Sequence, residues 1–295
     1  MAVNNSLTNR TTQKMKLSTY LSQDAIKNKI NEVVGGKNGQ RFISAIVSAT
    51  TQNPQLQSCD NGTILSAALL GEGLNLSPSP QLGQYYMVPY DRKTKDEHGN
   101  WVAKKEAQFQ LGYKGYIQLA IRSGYYKKLN VLPIKEGELV SFDPLTEEIV
   151  VDLIDDTAER ESAPTIGYYA MFEYLNGFKK AMYWSKEKMK SHAQKYSQGY
   201  AADLKKGTAW TFWSKDFDGM ACKTMLRQLI SKWGIMSIEL QTAYESDMGV
   251  IRDDGSVDYV DNETAAYPEE RVVEAEAEVV EEAPADPFKA AMLGK

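Results

Sequence analysis

The sequence predicts an α+β domain in which antiparallel hairpins and sheets pack against helices. Three observations predict it. Apolar residues recur at helical spacing in several windows, extended segments rich in aromatic residues lie between them, and an Asn176-Gly177 pair separates two of those segments. The order is helices, strands, helix, strands, hairpin, helices, so strands and helices are grouped rather than strictly alternating. Apolar residues make up 42% of the 295, enough for a real core.

Residues 1–23 lack hydrophobic periodicity and read as a flexible arm. In 24–34, Ile26, Ile30, Val33 and Val34 have helical spacing, and Gly35-Gly36 closes the segment. A second helix fits 41–51, where Phe42, Ile43, Ile46 and Val47 form one stripe before Pro54. A third fits 63–70, opened by Asp60-Asn61-Gly62 and closed by Gly71 and Gly73. Residues 84–88 and 108–111 read as partner strands flanking a polar stretch, 91–106, with a turn at Glu97-His98-Gly99-Asn100. Residues 113–122 are helical up to Ser123-Gly124, and 129–134 and 138–142 are short strands around a turn at Gly137. Asn176-Gly177 supplies the positive φ angles of a type I′ turn between 166–174 and 178–184. Ser185 caps a helix to about Tyr196, and 197–207 is a polar loop. Residues 208–233 form a last long helical region with a break at Gly219, and 236–244 add a short helix. The Val/Glu/Ala/Pro-rich chain after Asp247 cannot bury enough surface to order itself. The expected organisation is therefore an arm (1–23), one α+β domain (24–246) and a disordered acidic tail (247–295).

Charge divides the chain in the same place. From 247 to 295 there are fourteen acidic and four basic residues, whereas 1–246 carries 25 acidic and 30 basic. A basic body with an acidic tail points to a polyanionic partner, or to a solvated body with a solubilising tail. The N-terminus has no secretory pattern, and no apolar run approaches the roughly 20 residues that span a bilayer. Cys59, Cys222, His98 and His192 form no disulfide framework or zinc motif. The expectation is a cytoplasmic protein with no cofactor and no metal.

Catalysis finds no motif. There is no Walker-type phosphate loop, which disfavours an ATP-driven enzyme, and no nucleophile elbow. Asp152, Asp155 and Asp156 cluster as a metal-dependent nuclease would need, but Glu159 and Glu161 beside them suit a solvated loop. Binding has more support. Residues 101–128 carry Lys104, Lys105, Lys114, Arg122, Lys127 and Lys128 against one acid, Glu106. Residues 179–232 carry twelve basic and four acidic residues, and aromatics interleave with both stretches. Phosphates need cations and unpaired bases need flat faces, so this composition suits single-stranded nucleic acid. Lys223 and Arg227, at i and i+4, share one helix face and can grip neighbouring phosphates, with Lys215 eight residues before Lys223 and about 80° round the helix. His192 between Lys188 and Lys195 is a further candidate contact. Trp184, Phe212 and Trp233 are expected in the core, because large aromatics usually pack.

Several stretches together resemble the RecT family of phage single-strand annealing proteins. They are 42–47 (Phe-Ile-Ser-Ala-Ile-Val), 83–90 from Gly83 to Tyr90, 110–124 from Gln110 to Gly124, then 134–142, and 213–239 around Met220 to Arg227. The resemblance implies a protein that anneals complementary strands without ATP and binds single-stranded DNA and the annealed duplex. It implies a ring or helical filament of identical chains, working beside a phage exonuclease and a host single-strand-binding protein. It implies a DNA groove that includes Gln110, Tyr113, Lys114, Lys223 and Arg227, whereas Lys104 and Lys105 are inferred from charge alone. An RNA-binding or RNA-chaperone module and a recombination-associated nuclease are the competing readings. The acidic tail after 246 has three readings: a competitor with DNA for the groove, a docking segment for a partner such as the host single-strand-binding protein through 286–293, or a solubilising extension.

Overall fold

The computed structural model describes residues 15–95 and 99–259. Glu97 and His98 of the expected turn, most of the expected arm and residues 260–295 lie outside them. The body is mixed α+β with antiparallel pairing, as the sequence predicts. No described helix is long and apolar enough to cross a membrane.

The first described elements are α1 (Leu17–Leu21) and α2 (Asp24–Val34), so part of the expected arm is helical. Leu21 is fully buried in the core, with Leu17 and Tyr20 packed against it. Five residues show too little periodicity to be read as a helix from sequence. Helix α3 (Gly39–Gln52) buries the Phe42/Ile46 stripe. Helix α4 (Asn61–Gly73), capped by the Asp60 carboxylate on Gly62 N, buries residues on every side and forms the centre of the first half.

Helix α4 packs on a four-stranded sheet ordered β1 (Tyr85–Lys95), β2 (Trp101–Leu111), β8 (Gly249–Ile251), β9 (Val257–Tyr259). The polar stretch after Asp91 is therefore the outer half of a long hairpin, paired in register from Tyr85↔Leu111 to Lys95↔Trp101. Its solvated strands lack the alternation that marks a buried face. Strands β8 and β9 lie in the segment expected to be disordered, and Asp247 beside them is buried. The ordered body thus runs past 246.

The second sheet is β3 (Tyr126–Lys135), β6 (Thr165–Tyr174), β7 (Lys179–Ser185), with β6 in the centre. The β6–β7 hairpin forms as expected, but its turn differs. Gly177 N donates to Tyr174 O at 3.0 Å, Tyr174 N donates to Phe178 O, and positive φ occurs at Gly177 but not at Asn176. This is a three-residue loop with a left-handed glycine rather than a type I′ pair. Strand β4 (Leu139–Asp143) pairs with β5 (Glu148–Val151), and the acidic loop after it contains a short helix, α6 (Thr157–Ser162), capped by Asp156.

Helix α5 (Tyr113–Arg122) follows β2 directly. Helix α7 (Lys186–Tyr196) is capped by Ser185 as expected, but the expected loop after it is α8 (Gln198–Lys206), capped by Ser197. The late helical region breaks at Asp216, not Gly219: α9 (Phe212–Lys215) ends there, and the Asp216 carboxylate accepts from Gly219 N to start α10 (Phe217–Trp233). Helix α10 packs on β3, β6 and β7 and also on α5, so it joins the two halves. Helix α11 (Ile238–Ser246) leads to Asp247.

Candidate nucleic-acid interface

Two glycines put α5 against the first sheet. A Cβ on Gly112 would lie 2.1 Å from Gly83 O, and one on Gly115 would lie 2.1 Å from Gln84 O, far inside contact distance. Gly112 N instead donates to Gln84 O at 2.8 Å. The N-terminal turn of α5 therefore sits directly over the start of β1. Across from it run α9 and the first turns of α10.

Between them is a pocket lined by Tyr86, Gln110, Tyr113, Phe212, Met220 and Lys223, with Asp216 also at its wall. Segments more than a hundred residues apart in sequence meet here. The Tyr86 and Phe212 rings approach to 5.6 Å, and Gln110 Nε2 donates to Gln108 Oε1 at 2.8 Å. Burial, with Asp216 adding to it, raises the Tyr86 and Tyr113 hydroxyls above their ordinary value. Both stay protonated at neutral pH and can donate. Lys114, the next residue of α5, is exposed, as is Lys215 on the same short helix as Phe212.

Lys223 and Arg227 do share a face of α10, but they are not free surface cations. Lys223 Nζ donates to Asp247 Oδ1 at 2.9 Å and Arg227 Nη1 to Asp247 Oδ2 at 2.5 Å. The same carboxylate accepts from Leu111 N at 2.9 Å and from the Tyr116 hydroxyl at 3.3 Å. Burial pushes the Lys223 ammonium below its usual value despite the pull of Asp247. Burial alone would raise the Asp247 carboxyl, but the two cations bring it below the usual carboxylate range. Asp247 is not legible as a partner from sequence, because it lies beyond the end of the expected domain.

The remaining expected contacts lie outside the pocket lining. Lys104 reaches Asp60 at 3.4 Å and Glu106 at 3.7 Å, and Lys105 reaches Asp91 at 3.8 Å, so local carboxylates offset the charge expected there. Arg122 donates to the carbonyls of Leu74 at 2.7 Å and Asn75 at 3.4 Å, fastening α5 to the end of α4. On α7, the His192 ring packs tilted against Trp184 at 5.2 Å and Tyr196 at 4.5 Å. Lys188 lies 4.6 Å from the Trp184 ring centre and Lys195 5.2 Å from that of Tyr196. Burial, with Lys195 and Lys188 adding to it, pushes the His192 imidazole down to about 4. His192 is thus neutral at physiological pH and offers a flat ring rather than a charge. Phe212 and Trp233, expected in the core, are each 41% exposed.

One exposed aromatic is held with unusual firmness. The buried Asp203 carboxylate accepts from the Thr208, Thr211 and Ser214 hydroxyls and from Trp210 N and Thr211 N, all within 3.0 Å. These bonds, led by the one from Thr208, hold its pKa well below the usual carboxylate range. They fix the loop on which Trp210 stands 71% exposed, beside exposed Lys205 and Lys206. Sequence placed Trp210 in a long helix, where its exposure could not be read.

Comparison with known proteins agrees with the matched segments. A model of the RecT family matches residues 40–261. The chain is 38% identical over 253 residues to the uncharacterized protein YqaK of Bacillus subtilis (strain 168), covering 82% of this chain and 79% of that protein. It is 27% identical over 230 residues to protein RecT of Escherichia coli (strain K12), covering 78% of this chain and 79% of that protein.

Proposed function

The chain belongs to the RecT family of recombination and annealing proteins, and from that premise we propose that it binds single-stranded DNA and pairs it with its complement, without ATP and as an oligomer. One observation carries this reading. The segments 83–90, 110–124 and 213–239, all of which resemble the family, meet around a single pocket.

The chemistry there suits a sugar–phosphate backbone. The α5 N-terminus carries partial positive charge, exposed Lys114 adds a full charge, and Gln110, Tyr86 and Tyr113 add neutral donors, while Lys223 at the pocket wall is held by Asp247. Asp216 at the wall keeps the site from being a uniform anion trap. Exposed rings such as Trp210 and Phe212 offer stacking faces that accept any base. Backbone and stacking contacts carry no sequence information, so base edges stay free to pair. Annealing of this kind lowers phosphate repulsion and pre-organises bases, and it breaks no covalent bond.

The test is annealing of complementary oligonucleotides without any nucleotide cofactor, followed by fluorescence. Acceleration over the spontaneous rate is expected, with an affinity that falls steeply with salt. No acceleration would refute the reading, and tighter binding of a matched RNA oligomer would favour an RNA module instead. A phage exonuclease and the host single-strand-binding protein are the partners this reading implies, in the cytoplasm.

A further inference from the structure

The β3–β6–β7 sheet has two chemically opposite ends. Strand β6 is ten residues long and so separates them by about 30 Å. At the Tyr174 end, Lys127, Lys128 and Lys179 converge on the buried Glu173 at 2.7, 3.8 and 3.6 Å. One carboxylate among three lysines leaves a positive excess. Next to them Tyr125, Leu175 and Phe178 are exposed, Leu175 by 70%. At the Thr165 end, Glu136, Asp152, Asp155, Asp156, Glu159 and Glu161 are all exposed, and none forms an ion pair among the described residues. The exposed Val140, Val150 and Leu153 lie in the strands and loop beside them. Each end is therefore an apolar patch bordered mostly by charge of one sign, with Arg160 tied to Glu138 at the acidic end and Glu147 tied to Lys180 near the basic one, and the net signs are opposite.

We propose that these ends are the two halves of a head-to-tail interface, so that the basic end of one copy of this chain docks on the acidic end of the next. The inference rests on the oligomeric reading above and names the surfaces that would build it. Because the two patches differ, the contact is heterologous and propagates into a ring or an open helical array rather than stopping at a dimer. Opposite rim charges steer the encounter and set the register, while the apolar centres supply contact area. A nucleic acid on the lysine end would leave the acidic end unexplained. A second copy accounts for both.

Two charge-reversed variants test it. Lys128→Glu with Lys179→Glu makes both ends acidic and leaves Lys127 to hold Glu173. Glu136→Lys, Asp152→Lys, Asp155→Lys and Glu161→Lys make both ends basic and leave the Asp156 cap of α6 intact. Circular dichroism checks folding, and Leu175→Asp, in an exposed loop, is an independent third variant. In sedimentation velocity, wild type should assemble, and each variant alone should associate about tenfold more weakly or worse. An equal mixture of the two charge variants should recover assembly, since acidic ends then meet basic ones. The interface is wrong if either charge variant assembles like wild type or if the mixture stays dissociated. It is also wrong if the lysine variant loses only affinity for an oligonucleotide too short for two protomers. Wild type that assembles but fails to anneal would overturn the annealing reading and leave the interface standing. Wild type that never assembles would overturn the interface.

Discussion

Asp247 accepts from two cations, a hydroxyl and a backbone amide, and that concentration decides what substitution there does. Asp247→Asn leaves Lys223 and Arg227 without their shared charge and should destabilise by about 3 kcal/mol or more in urea titration. Lys223→Met should cost less, because the carboxylate keeps Arg227. An Asp247→Asn protein as stable as wild type would show that the network carries no net stability. For Trp210, Trp210→Ala should cost about 1–3 kcal/mol of single-strand affinity by anisotropy, and Trp210→Phe should retain part of it. Equal affinity for all three proteins would remove Trp210 from the interface. His192 makes a pH prediction of definite sign. Its folded value, about 4, lies below the ordinary 6.5, so between those values the unfolded chain binds more protons. Its contribution to stability is complete above about 6.5 and is lost as pH falls toward 4. Thermal melts of His192→Gln should lose that part of the slope. A slope identical to wild type would mean that His192 titrates normally. Lysines and aromatics were legible in the sequence as residue types, but their partners were not. Nothing in a one-dimensional reading joins Lys223 to Asp247 or Trp210 to Asp203.

Local period and caps made the helices and the aromatic hairpin the most legible elements. Helices α2 and α5 fall on the expected residues, and the Ser185 cap starts α7 where expected. The misses share one cause. The outer half of the β1–β2 hairpin, α8 and the β8–β9 pair are polar or very short, so their apolar pattern is weak and backbone pairing alone defines them. The glycine pair of α5 was visible as residues, but its reason is a contact with a distant strand. Gly112→Ala or Gly115→Ala must push α5 off β1. Each should cost about 1–3 kcal/mol in thermal or urea unfolding and weaken single-strand binding further, because the pocket opens. A Gly115→Ala protein with wild-type stability and affinity would show that α5 can shift without consequence.

Among the described residues, two halves are held together by α10, and β8, β9 and Asp247 belong to the first of them. Ending the chain at Ser246 removes Asp247 and strands β8 and β9, and should abolish cooperative unfolding by circular dichroism. Ending it at Tyr259 keeps them, together with the bond from the Tyr259 hydroxyl to Glu245 O. Any influence of the acidic segment on annealing can then be measured on folded protein. If the chain ending at Ser246 melts like the one ending at Tyr259, the short sheet extension is dispensable. Fold class and the pairing of aromatic strands were readable because they depend on local pattern. The place of β8 beyond the expected domain end was not, because it is held by pairing with Phe109, far away in sequence. The single carboxylate at 247 also has a consequence for heredity. Codons 223, 227 and 247 form one linkage group in the functional sense, although the rest of α10, a loop and α11 separate the last from the others in the message. The double change Lys223→Met with Asp247→Asn should therefore cost less than the sum of the two single changes, as changes that remove one shared contact do.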